Sequence, residues 1–110
     1  MKTHNIKNMI GGWFIGNFTP SLFQTNDFEI AYKDYKANDY EPSHHHKIAT
    51  EFTMIIEGKV LMNSKEHSSG EIIEIVPGES TDFKAITDVK TLVVKIPSVK
   101  NDKYIIKDNA

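Results

Sequence analysis

Apolar and polar residues alternate along this chain in short bursts, and turn residues interrupt every burst. Phe28, Ile30 and Tyr32 alternate with Glu29, Ala31 and Lys33, the two-residue period of a half-buried strand. Phe52 to Ile56 is apolar and rich in strand formers, Glu57-Gly58 closes it, and Lys59 to Asn63 reads as its hairpin partner. Ser64 to Gly70 is polar and turn-like. Glu71 to Val76 is a further strand, ended by Pro77-Gly78. Thr91 to Ile96 carries Leu92-Val93-Val94, a core strand that Pro97 ends. Helical periodicity is scarce. Many short strands at this spacing predict an all-β sandwich or barrel.

The two ends read differently from the middle. Residues 1–11 form a tail or an extra edge strand, and residues 12–110 a single domain. Trp13 and Phe14, next to Gly11-Gly12, look like the packing anchor of an N-terminal strand. Lys100 to Ala110 is polar except for Tyr104-Ile105-Ile106, a triplet suited to closing a sheet edge or meeting another subunit.

Composition narrows the field. A chain of 110 residues with 39% hydrophobic content buries one modest core. No stretch is long and apolar enough to cross a membrane, and Met1 to Ile10 lacks the hydrophobic region of a signal peptide. Cysteine is absent, which removes disulfides and thiolate metal ligands and fits a cytoplasmic location. The formal charge is −2 and all thirteen basic residues are lysine. Arginine supplies the planar fork that reads phosphates and base edges, so nucleic acid is not an expected partner.

The candidate chemistry lies in one run, His44-His45-His46-Lys47-Ile48-Ala49-Thr50-Glu51, followed after six residues by Gly58. On a strand, residues two apart share a side. His44 and His46 therefore project together and His45 opposes them. A short turn and a second strand bring Glu51 beside the pair. Two neutral imidazoles and a carboxylate converging on a point suit a divalent transition metal, with iron, manganese, zinc and nickel all compatible. Thr53 and Ile55 share the parity of Glu51 and should line the interior beyond it. Tyr32 and Tyr40 are candidates for the pocket wall or for ordinary core. His67, in a polar loop, and His4, in the tail, are read as exposed and without a role.

The run His-x-His-x4-Glu-x6-Gly resembles the first sequence motif of the cupin superfamily, matched at His44, His46, Glu51 and Gly58. The motif's leading glycine falls on Asn38, the residue type next most able to take a left-handed turn. The second cupin motif is degraded. Counting from Gly70 places Val76 at its proline, Gly78 at its second glycine, Thr81 at its histidine and Ala85 at its asparagine. The resemblance implies a cupin-type double-stranded β-helix, a jelly-roll barrel with the site inside its mouth. It also implies a homodimer joined by edge strands. It places Thr81 where a fourth protein ligand would stand, leaving a 2-His-1-Glu site with open positions and Thr81 beside a bound substrate. Asp82, one residue off that frame, should face outward. The alternative, read from the residue alone and favoured over a role at the site, is that Thr81 is a β-branched residue filling a strand.

Three functional readings are compatible with these residues. One is a metal-dependent enzyme acting on a small polar metabolite. Another is a non-catalytic module that binds a metal or a metabolite, since fold does not fix function. The third is a metal-free sugar-nucleotide isomerase-like cupin, suggested by the His-x-His-Lys string at 44 to 47. Glu51 is unneeded in that last reading, and no arginine is present to hold the phosphates.

Overall fold

A computed structural model describes residues 1–106. Two 3-10 turns, Ile6–Asn8 and Ile10–Gly12, lead into β1 (Trp13–Ile15) and β2 (Glu29–Tyr35). There follow β3 (Tyr40–His45), β4 (Thr50–Glu57), β5 (Lys59–Met62), β6 (Lys65–Ser68), β7 (Ile72–Ile75), β8 (Thr81–Ala85), β9 (Val89–Ile96) and β10 (Tyr104–Ile105). They form two antiparallel sheets of five strands, ordered β1-β2-β9-β4-β7 and β10-β3-β8-β5-β6. No helix of the described residues is long and apolar enough to cross a membrane.

The sheets face one another across a core built from both. Ile55, Ile75 and Val89 of the first sheet meet Val60, Met62, Phe83 and Ala85 of the second. This cluster fills the end of the sandwich near Gly58. Each inward face becomes polar toward the other end. Inward residues run Ile55, Thr53, Glu51 along β4, Ala85, Phe83, Thr81 back along β8, and Val89, Thr91, Val93, Lys95 along β9. A dry core and a polar cavity thus share the same strands.

The expected hairpin between the fourth and fifth strands does not form. β4 pairs with β7 and β9, whereas β5 pairs with β6 and β8. Gly58 alone carries the chain from one sheet to the other. Its φ is +97°, and a Cβ there would collide with the Asp88 carbonyl, so only glycine makes this crossing without displacement. Ser64 to Gly70, read as a turn, contains the short polar strand β6, which pairs with β5 through a tight turn at Asn63 and Ser64. Asn38 adopts the left-handed conformation its motif position demands, with φ +75°.

β2 presents the opposite face from the one its pattern suggests. Glu29 and Ala31 are buried, Lys33 and Tyr35 line the interior, and Ile30 and Tyr32 lie outside. Polar residues are inside because this end of the sandwich holds a cavity. The ends of the chain close the edges. β1 pairs with β2, and Tyr104 and Ile105 pair with His45 and His44.

Candidate metal centre

β3 and β4 bring His44, His46 and Glu51 together. Each offers one ligand atom within 4.8 Å of the others, and all three residues are buried. His45 points away and stacks on Tyr104, ring centroids 5.4 Å apart, with the Lys47 ammonium 4.2 Å from the centre of the same ring. The predicted parity of the histidine run therefore holds.

Every member of the trio has its outer atom occupied and its inner atom free. His44 Nδ1 donates to the Pro42 carbonyl at 3.1 Å, and His46 Nδ1 to the Asp102 carbonyl at 2.8 Å. These bonds assign the tautomer: in a neutral ring the proton sits on Nδ1 and Nε2 keeps its lone pair. The Thr53 hydroxyl donates to Glu51 Oε2 at 2.9 Å, leaving Oε1 for the interior. Glu51 Oε1 lies 3.4 Å from His46 Nε2, long for a hydrogen bond, and this buried nitrogen has no partner that satisfies it. Two acceptors face each other in a buried site. Such an arrangement calls for a cation between them, and the donor set of two imidazoles and a carboxylate fits a divalent transition metal. The hydrogen bonds behind each ligand are those that fix ligand orientation at metal sites.

Charge is tuned to match. Burial pulls the His44 imidazole below its usual range, which keeps it neutral and able to ligate. Burial pushes the Glu51 carboxyl up, but the Thr53 hydroxyl and the Lys95 ammonium act against it, and the carboxyl lies below its usual range. Burial also pulls the Lys95 ammonium down, against Glu51 and Glu29, which favour its charged form. Lys95 sits between these two in register, on the central strand of a Glu29–Lys95–Glu51 row.

Asp102 organises the loop that joins β3 to β4. Its buried carboxylate accepts the backbone N–H groups of Lys47, Ile48 and Ala49 at 2.9 to 3.2 Å, while its carbonyl holds His46. Burial pushes the Asp102 carboxyl up, and these N–H donors more than reverse it, so its pKa is lowered. Sequence reading missed this residue. An isolated Asp in a polar C-terminal stretch carries no signal of a contact 50-odd positions away.

The remaining expected residues divide. Thr81 is buried and lies opposite His44 in the β3–β8 register, facing the cavity as expected, although its hydroxyl donates to the Asp82 carbonyl at 2.8 Å. Asp82 faces outward and accepts Asn63 N–H. Thr53 and Ile55 are interior. Tyr32 and Tyr40 do not reach the pocket: Tyr32 is on the outer face of β2, bonded to Asp34, and Tyr40 is 59% exposed. The aromatic wall is instead Tyr35, whose hydroxyl donates to Glu41 at 3.1 Å, with Phe83 and Trp13. Burial, then Glu41, drives the Tyr35 pKa well above the phenolic range, so it remains a donor. The parity of β2, taken from its apolar residues, hid Tyr35 behind Tyr32.

The three residues line two neighbouring cavities. The inner one, about 120 Å³, is lined by His44, Glu51, Thr81, Tyr35, Glu41 and the unpaired hydroxyl of Thr91, among others. The outer one, about 330 Å³, includes His46, Glu29, Phe18, Pro20 and Val99. Trp13, Lys95 and Lys103 border both.

No family sequence model and no curated protein sequence matches this chain. Solved structures do. A conserved protein with a double-stranded β-helix domain from Klebsiella pneumoniae superposes with TM-score 0.69 at 16% identity, over 76% of this chain and 74% of that one. The DMSP lyase DddQ from Ruegeria pomeroyi superposes with TM-score 0.71 at 17% identity, over 87% of this chain and 50% of its own. An oxalate decarboxylase with Mn(II) centres from Bacillus subtilis gives TM-score 0.65 at 14% identity, over 76% of this chain and 25% of its own. This chain therefore spans half of the lyase and a quarter of the decarboxylase. The fold is a double-stranded β-helix. At these identities the likeness fixes the fold and no activity.

Proposed function

We propose that this chain is a metal-binding cupin that takes a small polar metabolite at His44, His46 and Glu51. The carrying observation is the buried, unpartnered His46 Nε2 aimed at Glu51 Oε1. His44 Nε2, His46 Nε2 and Glu51 Oε1 would hold the metal. When bound, it would supply Lewis acidity and open positions for ligand oxygens. The DMSP lyase and the Mn(II)-containing oxalate decarboxylase show that this fold supports both enzymatic work and metal centres.

The chain's own residues suggest how a ligand would sit. Lys95 and Lys103, on the border between the cavities, favour an oxyanion on the metabolite. Tyr35 and the Thr91 hydroxyl offer hydrogen bonds from the inner wall. Trp13 holds Lys95 and the neighbouring Lys33, whose ammonium groups lie 5.0 and 5.4 Å from the centre of its ring. The metal-free isomerase reading gains nothing here, because Glu51 is held among the histidines and hydrogen-bonded in place.

Elemental analysis of protein purified without a histidine tag tests the proposal. Wild type should carry one divalent metal per chain and His46→Ala almost none, with the fold retained. Equal metal content in the two would refute it. Product formation by metal-loaded protein across a panel of small carboxylates then separates an enzyme from a binding module.

A further inference from the structure

The two cavities differ in size and in lining. The inner one, about 120 Å³, falls below the volume of ordinary small-molecule sites, about 300–1,000 Å³, whereas the outer one, about 330 Å³, reaches it. The inner cavity has room for a head group, and the body of a ligand belongs in the outer one.

The wall of the outer cavity is largely apolar. Phe18 and Pro20 come from the connection between β1 and β2, Ala49 from the loop ahead of β4, and Val99 from the segment after β9. Trp13 meets Phe18 edge to face, ring centroids 6.2 Å apart. Buried Ser98 pins the first and last of these segments together. Its hydroxyl donates to Glu29 Oε1 at 3.0 Å and accepts the Asn17 N–H at 2.9 Å, and its own N–H donates to the Asn26 carbonyl at 3.0 Å. The apolar wall is thus held in place before any ligand arrives, which lowers the cost of binding.

Charge in the same cavity is one-sided. Its acids are engaged, Glu29 by Ser98 and Asp102 by the backbone N–H groups of Lys47, Ile48 and Ala49. Its cations, Lys95 and Lys103, make no ion pair among the described residues. Glu29 and Glu51 flank Lys95 in register and offset its charge, so the ammonium in excess is that of Lys103. One excess positive charge suits a ligand with one negative charge. A carboxylate carries one, whereas a phosphate monoester carries about 1.5–2.

We propose that the ligand of this centre is a monocarboxylate with an apolar body. Its carboxylate lies at the border of the two cavities, against Lys95 and Lys103 and beside the candidate metal ligands. Its body fills the outer cavity against Phe18, Pro20 and Val99. The inference rests on the reading of these cavities as the binding site, and adds the part of the metabolite that is not polar. A dicarboxylate or a sugar would bring a second hydrated group against side chains that offer it no hydrogen bond.

Trp13 borders both cavities and is the only tryptophan of the chain, so its fluorescence reports their occupancy. Titration of the whole chain, as purified, with acetate, hexanoate, adipate and hexanol tests the inference, and calorimetry measures the same affinities without the fluorophore. Hexanoate, longer than acetate by several methylenes, should bind at least about tenfold more tightly than acetate. Adipate, with a second carboxylate on the same carbon chain, and hexanol, with no charge, should each bind at least about tenfold more weakly than hexanoate. Val99→Asp should abolish the preference for hexanoate over adipate, and Lys103→Gln should bring hexanoate down to the level of hexanol. Val99 is half-buried and Lys103 exposed, so both variants should fold with an unchanged circular dichroism spectrum. Metal content measured on the same preparations separates the outcomes. A metal-loaded chain that binds none of the four probes, or binds acetate, adipate or hexanol as tightly as hexanoate, overturns the inference and leaves the metal centre standing. A preference for hexanoate in a chain without metal supports the inference and overturns the metal centre. A preference that survives both Val99→Asp and Lys103→Gln overturns the inference, because the probe then binds elsewhere.

Discussion

If His44, His46 and Glu51 hold a metal as proposed, its affinity should depend on the atoms one shell behind them. Thr53 holds Glu51 Oε2 and turns Oε1 inward. Thr53→Val keeps the shape and removes the donor, so metal affinity should fall by about 10–100-fold, the usual cost of such partners. Calorimetric titration of wild type and variant measures this directly. The same atoms set the pH response. Ligating imidazoles must be neutral. Burial lowers the His44 pKa, so that ring releases its proton below the ordinary histidine value of about 6.5. Affinity should therefore be full above roughly pH 6.5 and decline only below it. The apo fold shares this sign. A histidine whose folded pKa is depressed contributes nothing above the unfolded value and destabilises as pH falls through it. Affinity unchanged down to about pH 4 would remove both histidines from the ligand set. At Thr81, the register opposite His44 gives a further expectation. Thr81→His should tighten metal binding, and unchanged affinity would mean that position 81 does not reach the metal.

Between β3 and β4, one distant carboxylate shapes a whole loop. Asp102 satisfies the backbone donors of Lys47, Ile48 and Ala49 and fixes the His46 ring. Asp102→Ala leaves these donors without a partner. Hydrogen bonds to a charged group contribute about 1.5–3 kcal/mol each, and a few kcal/mol in all should be lost. Thermal unfolding should show a fall of roughly 10 °C or more. Metal affinity should drop too, although Asp102 ligates nothing. Because the folded Asp102 pKa is lowered, its carboxylate stabilises the fold above the unfolded value of about 3.9 and loses that effect as pH falls further. A thermally unaltered variant would show that the loop is held by other contacts. At Gly58 the expectation is purely conformational. Gly58→Ala should destabilise by about 1–3 kcal/mol, since both the positive φ and the Asp88 carbonyl oppose a Cβ.

Binding at the cavity should be felt by the molecule as a unit. The proposed ligands come from β3, its end and β4, strands of different sheets, and Asp102 ties the segment before β10 to the loop between them. A metal that binds only the folded chain stabilises it by about 2.7 kcal/mol at one hundred times its dissociation constant. The unfolding temperature should therefore rise with added metal in wild type and stay flat in His46→Ala. A rise in both would locate metal binding elsewhere.

Local spacing decided how the histidine run divides. A strand alternates strictly, so His44 and His46 had to share a side and His45 had to leave it, whatever the rest of the chain did. The same rule put Thr53 and Ile55 behind Glu51, and short apolar bursts between turns required an all-β fold. Pairing partners were another matter. β4 and β5 look like a hairpin along the chain, yet Gly58 sends them to opposite sheets, because hydrogen-bond partners are chosen by strands far away. The inward face of β2 was equally hidden. Burial patterns identify the inside only when the outside is polar, and here the outer face is apolar while the inner one carries Glu29, Lys33 and Tyr35. Asp102 and Tyr35 entered the site through contacts that only closure of the two sheets creates.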